Sequence, residues 1–256
     1  MSGRYNIFMS DLVSFIRENH QFALDQIAAA ARKVGRNPDD VKLVVVTKSQ
    51  PVEVAQAAIQ AGVRILGENY PEEGVTKIQS LPSQSGVEWH MIGHVQSRKA
   101  RLVAEYFELL HSLDSLKLAK RLDRFAAKQD RILPVLLELN VGGEDTKAGW
   151  VVSDDSQSNR FLPDVRAILD LPNLRVCGLM TMPPLGTDAE DSRPFFQRLR
   201  LLRDQLVSLH PEADWKELSM GTSADYMVAV EEGATLVRVG SAIVGARRYK
   251  SEKEAL

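Results

Sequence analysis

Lys48 closes an apolar run, Leu43-Val44-Val45-Val46-Thr47-Lys48, shortly before helix-forming sequence begins at Pro51. At the carboxyl end of a buried parallel strand a lysine loses water and its pKa falls. Its free amine can then condense with an aldehyde. A strand-end lysine more often reaches out to solvent, so other residues must decide. Ser219-Met220-Gly221-Thr222-Ser223 precedes a helix expected from about Ala224, and Gly240-Ser241-Ala242 follows the last apolar run, with Gly245 close behind. Helix-start N–H groups, close-approaching glycine backbone and serine hydroxyls are what a phosphate requires. One such cluster is equally an ordinary capped loop, but two at paired strand ends favour phosphate. Arg238 shares a strand face with Gly240. Pointing into a barrel, it must be bound to ligand or ion-paired with a strand-end carboxylate, and the sequence supports both readings equally.

Other candidates are weaker. Glu68 and Asn69 suit a catalytic acid and a ring-binding amide, or simply a turn. His90 and His94 share a strand face, but no third ligand stands nearby, so His90 reads as a core histidine and a metal site is not expected. Cys177 and Met180-Thr181-Met182 read as packing and wall. Ser112, Asp114 and Asn140 follow strands four and five. Gln96-Ser97-Arg98-Lys99 reads as a solvated helix start, and Arg247-Arg248 as surface.

These residues need elements to position them. Short β-rich runs at Leu43–Thr47, Arg64–Leu66, Glu88–Ile92, Leu109–Leu113, Ile132–Leu139, Arg175–Met180, Lys216–Ser219 and Leu236–Val239 alternate with helical stretches. The helices begin near Pro51, Pro71, Gln96, Leu116, Asp164, Pro194 and Ala224. A longer leading helix runs from Asp11 to Val34, with Ser10 as its N-cap and Gly35 past its end. Strand–helix alternation implies parallel crossovers. The expected fold is α/β, a single-domain (β/α)8 TIM-type barrel over residues 1–256 with an extra N-terminal helix. A doubly wound sheet is the alternative; it lacks support because no Gly-x-Gly-x-x-Gly follows the first strand. Residues 142–159 read as a long loop over the mouth or rim.

Composition narrows the class. In 256 residues, 32 basic and 34 acidic side chains nearly cancel, which leaves no electrostatic footprint for nucleic acid or anionic membrane. One cysteine excludes an internal disulfide and suits a reducing compartment. The apolar stretch Leu12-Val13-Ser14-Phe15-Ile16 is cut off by Arg17-Glu18, so no secretory segment is expected, and no run approaches membrane-spanning length. A cytoplasmic protein follows as the expectation.

The chain resembles the pyridoxal phosphate (PLP) homeostasis proteins, small relatives of the alanine-racemase barrel. The resemblance is carried by Val46-Thr47-Lys48, Gly67-Glu68-Asn69-Tyr70 with Glu73-Gly74, Trp89-His90-Met91-Ile92-Gly93, Val95-Gln96-Ser97-Arg98-Lys99, Gly178-Leu179-Met180, Leu218-Ser219-Met220-Gly221 with Ser223 and Asp225, and the stretch Val237 to Arg247. It implies a fold-type III barrel in which Lys48 forms a Schiff base with PLP. Ser219, Gly221, Ser223, Gly240 and Ser241 would surround the phosphate, Arg238 would face the pyridine nitrogen, and Asn69 and Met180 would lie beside the ring. His94, Arg98 and Ser241 stand where proline, asparagine and threonine are usual.

An arginine at the ring nitrogen disfavours its protonation and weakens the electron sink. Only Lys250 to Leu256 follow Tyr249, so no second domain supplying a catalytic tyrosine is expected. The resemblance and the absence of a racemase dimerisation domain favour a monomer. Storage, delivery or buffering of PLP with little or no turnover is the resulting expectation, with no catalytic residue assigned. PLP-dependent apoenzymes or a regulatory protein are the partners considered. An amino-acid racemase, or an aldolase using Lys48 without PLP, is the rival.

Overall fold

β-branched and leucine-rich runs flanked by proline, glycine or capping residues become strands, and the amphipathic stretches between them become helices. A computed structural model of the chain describes residues 2–81, 86–184, 186 and 188–246. The strands are β1 (Lys42–Val46), β2 (Ile65–Glu68), β3 (Glu88–Met91), β4 (Leu109–Leu113), β5 (Leu133–Asn140), β6 (Trp150–Val151), β7 (Leu174–Met180), β8 (Glu217–Ser219) and β9 (Leu236–Val239). The helices are α1 (Ser2–Lys33), α2 (Val52–Gln60), α3 (Pro71–Ser80), α4 (Ala100–Tyr106), α5 (Leu116–Ala127), α6 (Asp155–Leu169), α7 (Arg193–Leu209), α8 (Tyr226–Glu231) and α9 (Ser241–Val244).

Strands pair in the order β4-β3-β2-β1-β9-β8-β7-β5, all parallel, and β4 also pairs with β5. That last pairing closes a ring of eight, so the (β/α)8 barrel is the fold and the open sheet is excluded. β6 adds two residues alongside the carboxyl end of β5.

The core has two layers. The outer one lies between strands and helices and includes Phe107, Phe196 and Leu122. In α5, Leu118, Ala119, Leu122 and Ala126 form the buried stripe, and Ser115 caps the helix by accepting from Leu118 N. Val44, Leu109, Leu136, Cys177, Met180 and Leu236 pack together in a separate inner layer, within the barrel. Among the described residues no helix is long and apolar enough to cross a membrane.

Several boundaries differ from the sequence expectation. α1 runs from Ser2, so Ser10 lies inside it rather than capping it. The stretch after Gln96 opens as a 3-10 turn, Ser97–Lys99, before α4, and α8 begins at Tyr226 instead of Ala224. Residues 142–159 are not one loop: they contain β6 and the start of α6, nine residues before Asp164. Asp154 caps α6 by accepting from Gln157 N, and Pro163 is accommodated within the helix. Arg247, Arg248 and the tail to Leu256 lie outside the described residues.

Candidate functional site

A cavity of about 640 Å³ opens at the carboxyl ends of the barrel strands, within the range of small-molecule sites. Lys48, Asn69, Met180, Ser223, Arg238, Gly240 and Ser241 all line it. Ser219 and Gly221 do not; they sit in the layer beneath, where both are buried.

Lys48 follows β1 on backbone held from outside the barrel wall. Its neighbour Ser49 adopts a left-handed φ of 59° and donates its N–H to Glu73 Oε1 at 2.7 Å. Thr47 is buried; its hydroxyl donates to Glu68 Oε1 at 2.6 Å, and its carbonyl accepts from Lys77 Nζ at 2.7 Å. Lys77 also pairs with Glu68 at 2.8 Å and Glu73 at 2.7 Å. Burial raises the Glu68 pKa, which Lys77 opposes. Glu68 therefore serves this buried ionic cluster and does not line the cavity.

Arg238 is only 4% exposed. Its Nη1 donates to Ser219 Oγ, and its Nη2 donates to Thr181 O at 2.9 Å and to Met182 Sδ at 3.0 Å. The ion pair with a strand-end carboxylate, one of the two readings from sequence, is not what holds it among the described residues. Burial pushes its pKa down to about 10, with Glu138 and Asp225 opposing at longer range.

The two small-residue loops meet: Gly240 N donates to Ser223 Oγ at 3.2 Å. Asp225 braces the first loop, accepting from Thr222 N at 2.6 Å, Thr222 Oγ1 at 3.0 Å and Ser192 Oγ at 2.8 Å. Gly221 has φ +91°, and a Cβ there would lie 2.6 Å from that of Ala229. Its need for glycine comes from the close approach of α8. Gln50 Nε2 donates to Gly245 O and Ala246 O, each at 3.4 Å, tying the Lys48 segment to the second loop.

Asn69 rests against Gly93, where any Cβ would lie 2.5 Å from the Asn69 carbonyl oxygen. Ser112 reinforces this contact by donating to Gly93 O at 2.6 Å. Two cavity-lining side chains carry a buried atom with no hydrogen-bond partner: Asn69 Oδ1 and Glu138 Oε2. Burial and, after it, Asp114 push the Glu138 pKa up to about 7. His94 is mostly exposed and pairs with Asp114 at 2.7 Å. Asn140 closes the loop after β5, donating to Glu144 O and accepting from Gly143 N. Among the described residues no metal-ligating cluster forms. Cys177 is buried, and burial raises its pKa, as expected of an inert thiol.

Sequence reasoning passed over Glu138 and His111. Glu138 had a legible signal, a charged residue following leucines within β5, whereas the partners that give His111 its role are distant in sequence.

A lysine, an inward arginine and two serine-glycine loops around one cavity define a barrel of the alanine-racemase type. The family model described as the alanine racemase N-terminal domain matches residues 22–248. An alanine racemase of Clostridium difficile superposes with a TM-score of 0.65 at 17% identity, over 92% of this chain and 58% of that one, which establishes the fold alone. Within that class, the chain belongs to the pyridoxal phosphate homeostasis protein family. The Vibrio alginolyticus member is 40% identical over 240 residues, covering 93% of this chain and all of that protein. The Aquifex aeolicus member is 39% identical over 88% of this chain and 96% of its own. PipY of Synechococcus elongatus, solved with PLP bound, superposes with a TM-score of 0.73 at 34% identity, over 86% of this chain and all of that one.

Proposed function

We propose that this protein binds PLP as a Schiff base on Lys48. It acts in intracellular PLP homeostasis by storing, delivering or buffering the cofactor, with little or no turnover. The observation that carries the reading is the convergence of Lys48, Arg238 and the loops after β8 and β9 on one cavity. The unpartnered Asn69 Oδ1 and Glu138 Oε2 in its wall fit a polar ligand.

PLP would supply an aldehyde that joins the lysine amine as C=N with loss of water. Lys48 offers that amine from backbone pinned by Glu73 and Lys77. Ser223, Gly240 and Ser241 would hold the phosphate. Ser219 and Gly221 act from the layer beneath, Ser219 through Arg238 and Gly221 by shaping the loop. Asn69 and Met180 flank the ring. Arg238 faces the ring nitrogen, and a guanidinium there keeps it unprotonated, which suits holding the cofactor more than driving carbanion chemistry.

Purified protein should be yellow, and borohydride should label Lys48 covalently. A Lys48→Ala protein with the same visible band would overturn the assignment. One observation favours turnover: Glu138, with a pKa of about 7, can exchange a proton within the cavity at neutral pH. Inversion of any amino acid in a racemase assay would support that second reading; none is expected.

The reading also makes the protein a cytoplasmic monomer, with PLP-dependent apoenzymes or a regulatory protein as partners and neither nucleic acid nor membrane. Sedimentation checks the monomer. Reactivation of a purified apoenzyme by the loaded form, faster than by spontaneous release, checks delivery.

A further inference from the structure

The barrel interior holds a line of polar side chains that the proposed site does not use directly. Ser219 Oγ lies 2.7 Å from His111 Nδ1, His111 Nε2 lies 3.0 Å from His90 Nδ1, and His90 Nε2 lies 3.1 Å from Glu88 Oε2. Arg238 joins at one end through Ser219. Ser219 and His111 are fully buried, and His90 is 2% exposed. Glu88 begins β3, so it stands at the amino end of the barrel, where its side chain is 56% exposed. The line therefore crosses the barrel from the cavity to the opposite face.

Its two ends fix its direction. A guanidinium can only donate, and an ionised carboxylate can only accept. The hydrogen bond from His90 holds the Glu88 pKa below its ordinary value, so Glu88 is ionised at neutral pH. Burial, as the leading cause, drives the His111 pKa well down, so that ring is neutral. His90 then donates from Nε2 to Glu88 and accepts at Nδ1 from His111 Nε2–H. His111 Nδ1 accepts from the Ser219 hydroxyl, and Ser219 Oγ accepts from Arg238. In the opposite sense, His111 Nδ1–H would point at Ser219, leaving the buried serine hydrogen with no acceptor, at a cost of about 1–3 kcal/mol. One arrangement satisfies every atom.

We infer that Ser219, His111, His90 and Glu88 are positioning residues for Arg238. They form a one-way hydrogen-bond chain that fixes both histidines as Nε2–H tautomers and orients the arginine's remaining N–H groups toward the cavity. The functional part rests on the reading that Arg238 faces bound PLP; the chain itself does not.

The test therefore has separate arms. NMR of cofactor-free, ¹⁵N-histidine-labelled protein should show hydrogen on Nε2 of both rings and none on either Nδ1. Hydrogen on Nδ1 of either ring overturns the chain. Ser219→Ala should weaken PLP binding about tenfold in an absorbance titration, as expected for losing a hydrogen bond to a charged group. It should also release the fixed His111 tautomer. Ser219→Thr, which keeps the hydroxyl, should restore both. Undiminished PLP affinity in Ser219→Ala would overturn the positioning role. A wild-type protein that binds no PLP would instead defeat the proposed function, with the histidine spectrum still deciding the chain.

Discussion

Two buried cations serve the same cavity in opposite ways. Lys77, behind Lys48, is met directly by two carboxylates, Glu68 and Glu73. Arg238, inside the barrel, is met by a hydroxyl, a carbonyl and a thioether. Neutral partners satisfy its N–H groups without cancelling its charge. Glu138 acts on Arg238 only at longer range, with no ion pair between them among the described residues. The neutralised cation fixes backbone, and the uncancelled one is left to meet a ligand. A buried charge is held by ion pairing where it is structural, and by hydrogen bonds alone where it faces a site.

Lys77→Met attacks the structural side hardest. It strands the fully buried Glu68 and frees the Thr47 carbonyl, so urea unfolding at pH 7 should show a loss of about 3–5 kcal/mol. A loss under about 1 kcal/mol would erase the distinction. Glu138→Gln comes next. The folded carboxyl titrates near 7, against 4.5 as its ordinary value, so the folded state binds more protons between those pH values. Wild-type stability therefore falls as pH rises across that window. The glutamine variant should lack this fall and be more stable at pH 8 by up to about 3 kcal/mol, as unfolding at pH 5 and pH 8 would reveal.

Arg238→Met sharpens the other side. Removing an unneutralised buried charge offsets the acceptors left behind, so stability should shift by under about 1 kcal/mol. PLP affinity should fall ten- to hundredfold, about 1.5–3 kcal/mol, in a cofactor titration. Equal losses in stability and affinity would make Arg238 another structural cation. The smallest effect belongs to Arg101→Ala, which breaks an exposed i,i+4 pair with Glu105. Thermal unfolding should register under about 0.5 kcal/mol.

Much of this was legible in the sequence. Short β-rich runs bounded by turn residues marked all eight barrel strands within a few residues, because buried parallel strands are nearly pure aliphatic. β6 was not legible: Trp150–Val151 is too short to carry a period and forms only because β5 offers it a ladder. The start of α6 was hidden because Asp154-Asp155 resembles loop sequence until Asp154 is seen capping Gln157. In the site, Lys48, Arg238 and the two loops stood out by residue type at strand ends. The roles of Ser219 and Gly221 within the loop were not readable, since which face of Ser219–Ser223 meets the cavity depends on how α8 packs on Gly221. His111 went unnoticed because its partners lie 21 and 108 residues away and meet it only across a closed barrel.

The pairing of β4 with β5 also governs how this molecule behaves among others. An open sheet leaves a row of unpaired N–H and C=O groups that a second copy can extend, whereas a closed ring offers none. Among the described residues the only strand with an open side is β6, two residues long, too short to template a ladder. Edge-to-edge pairing with a second copy is thus closed off by the topology.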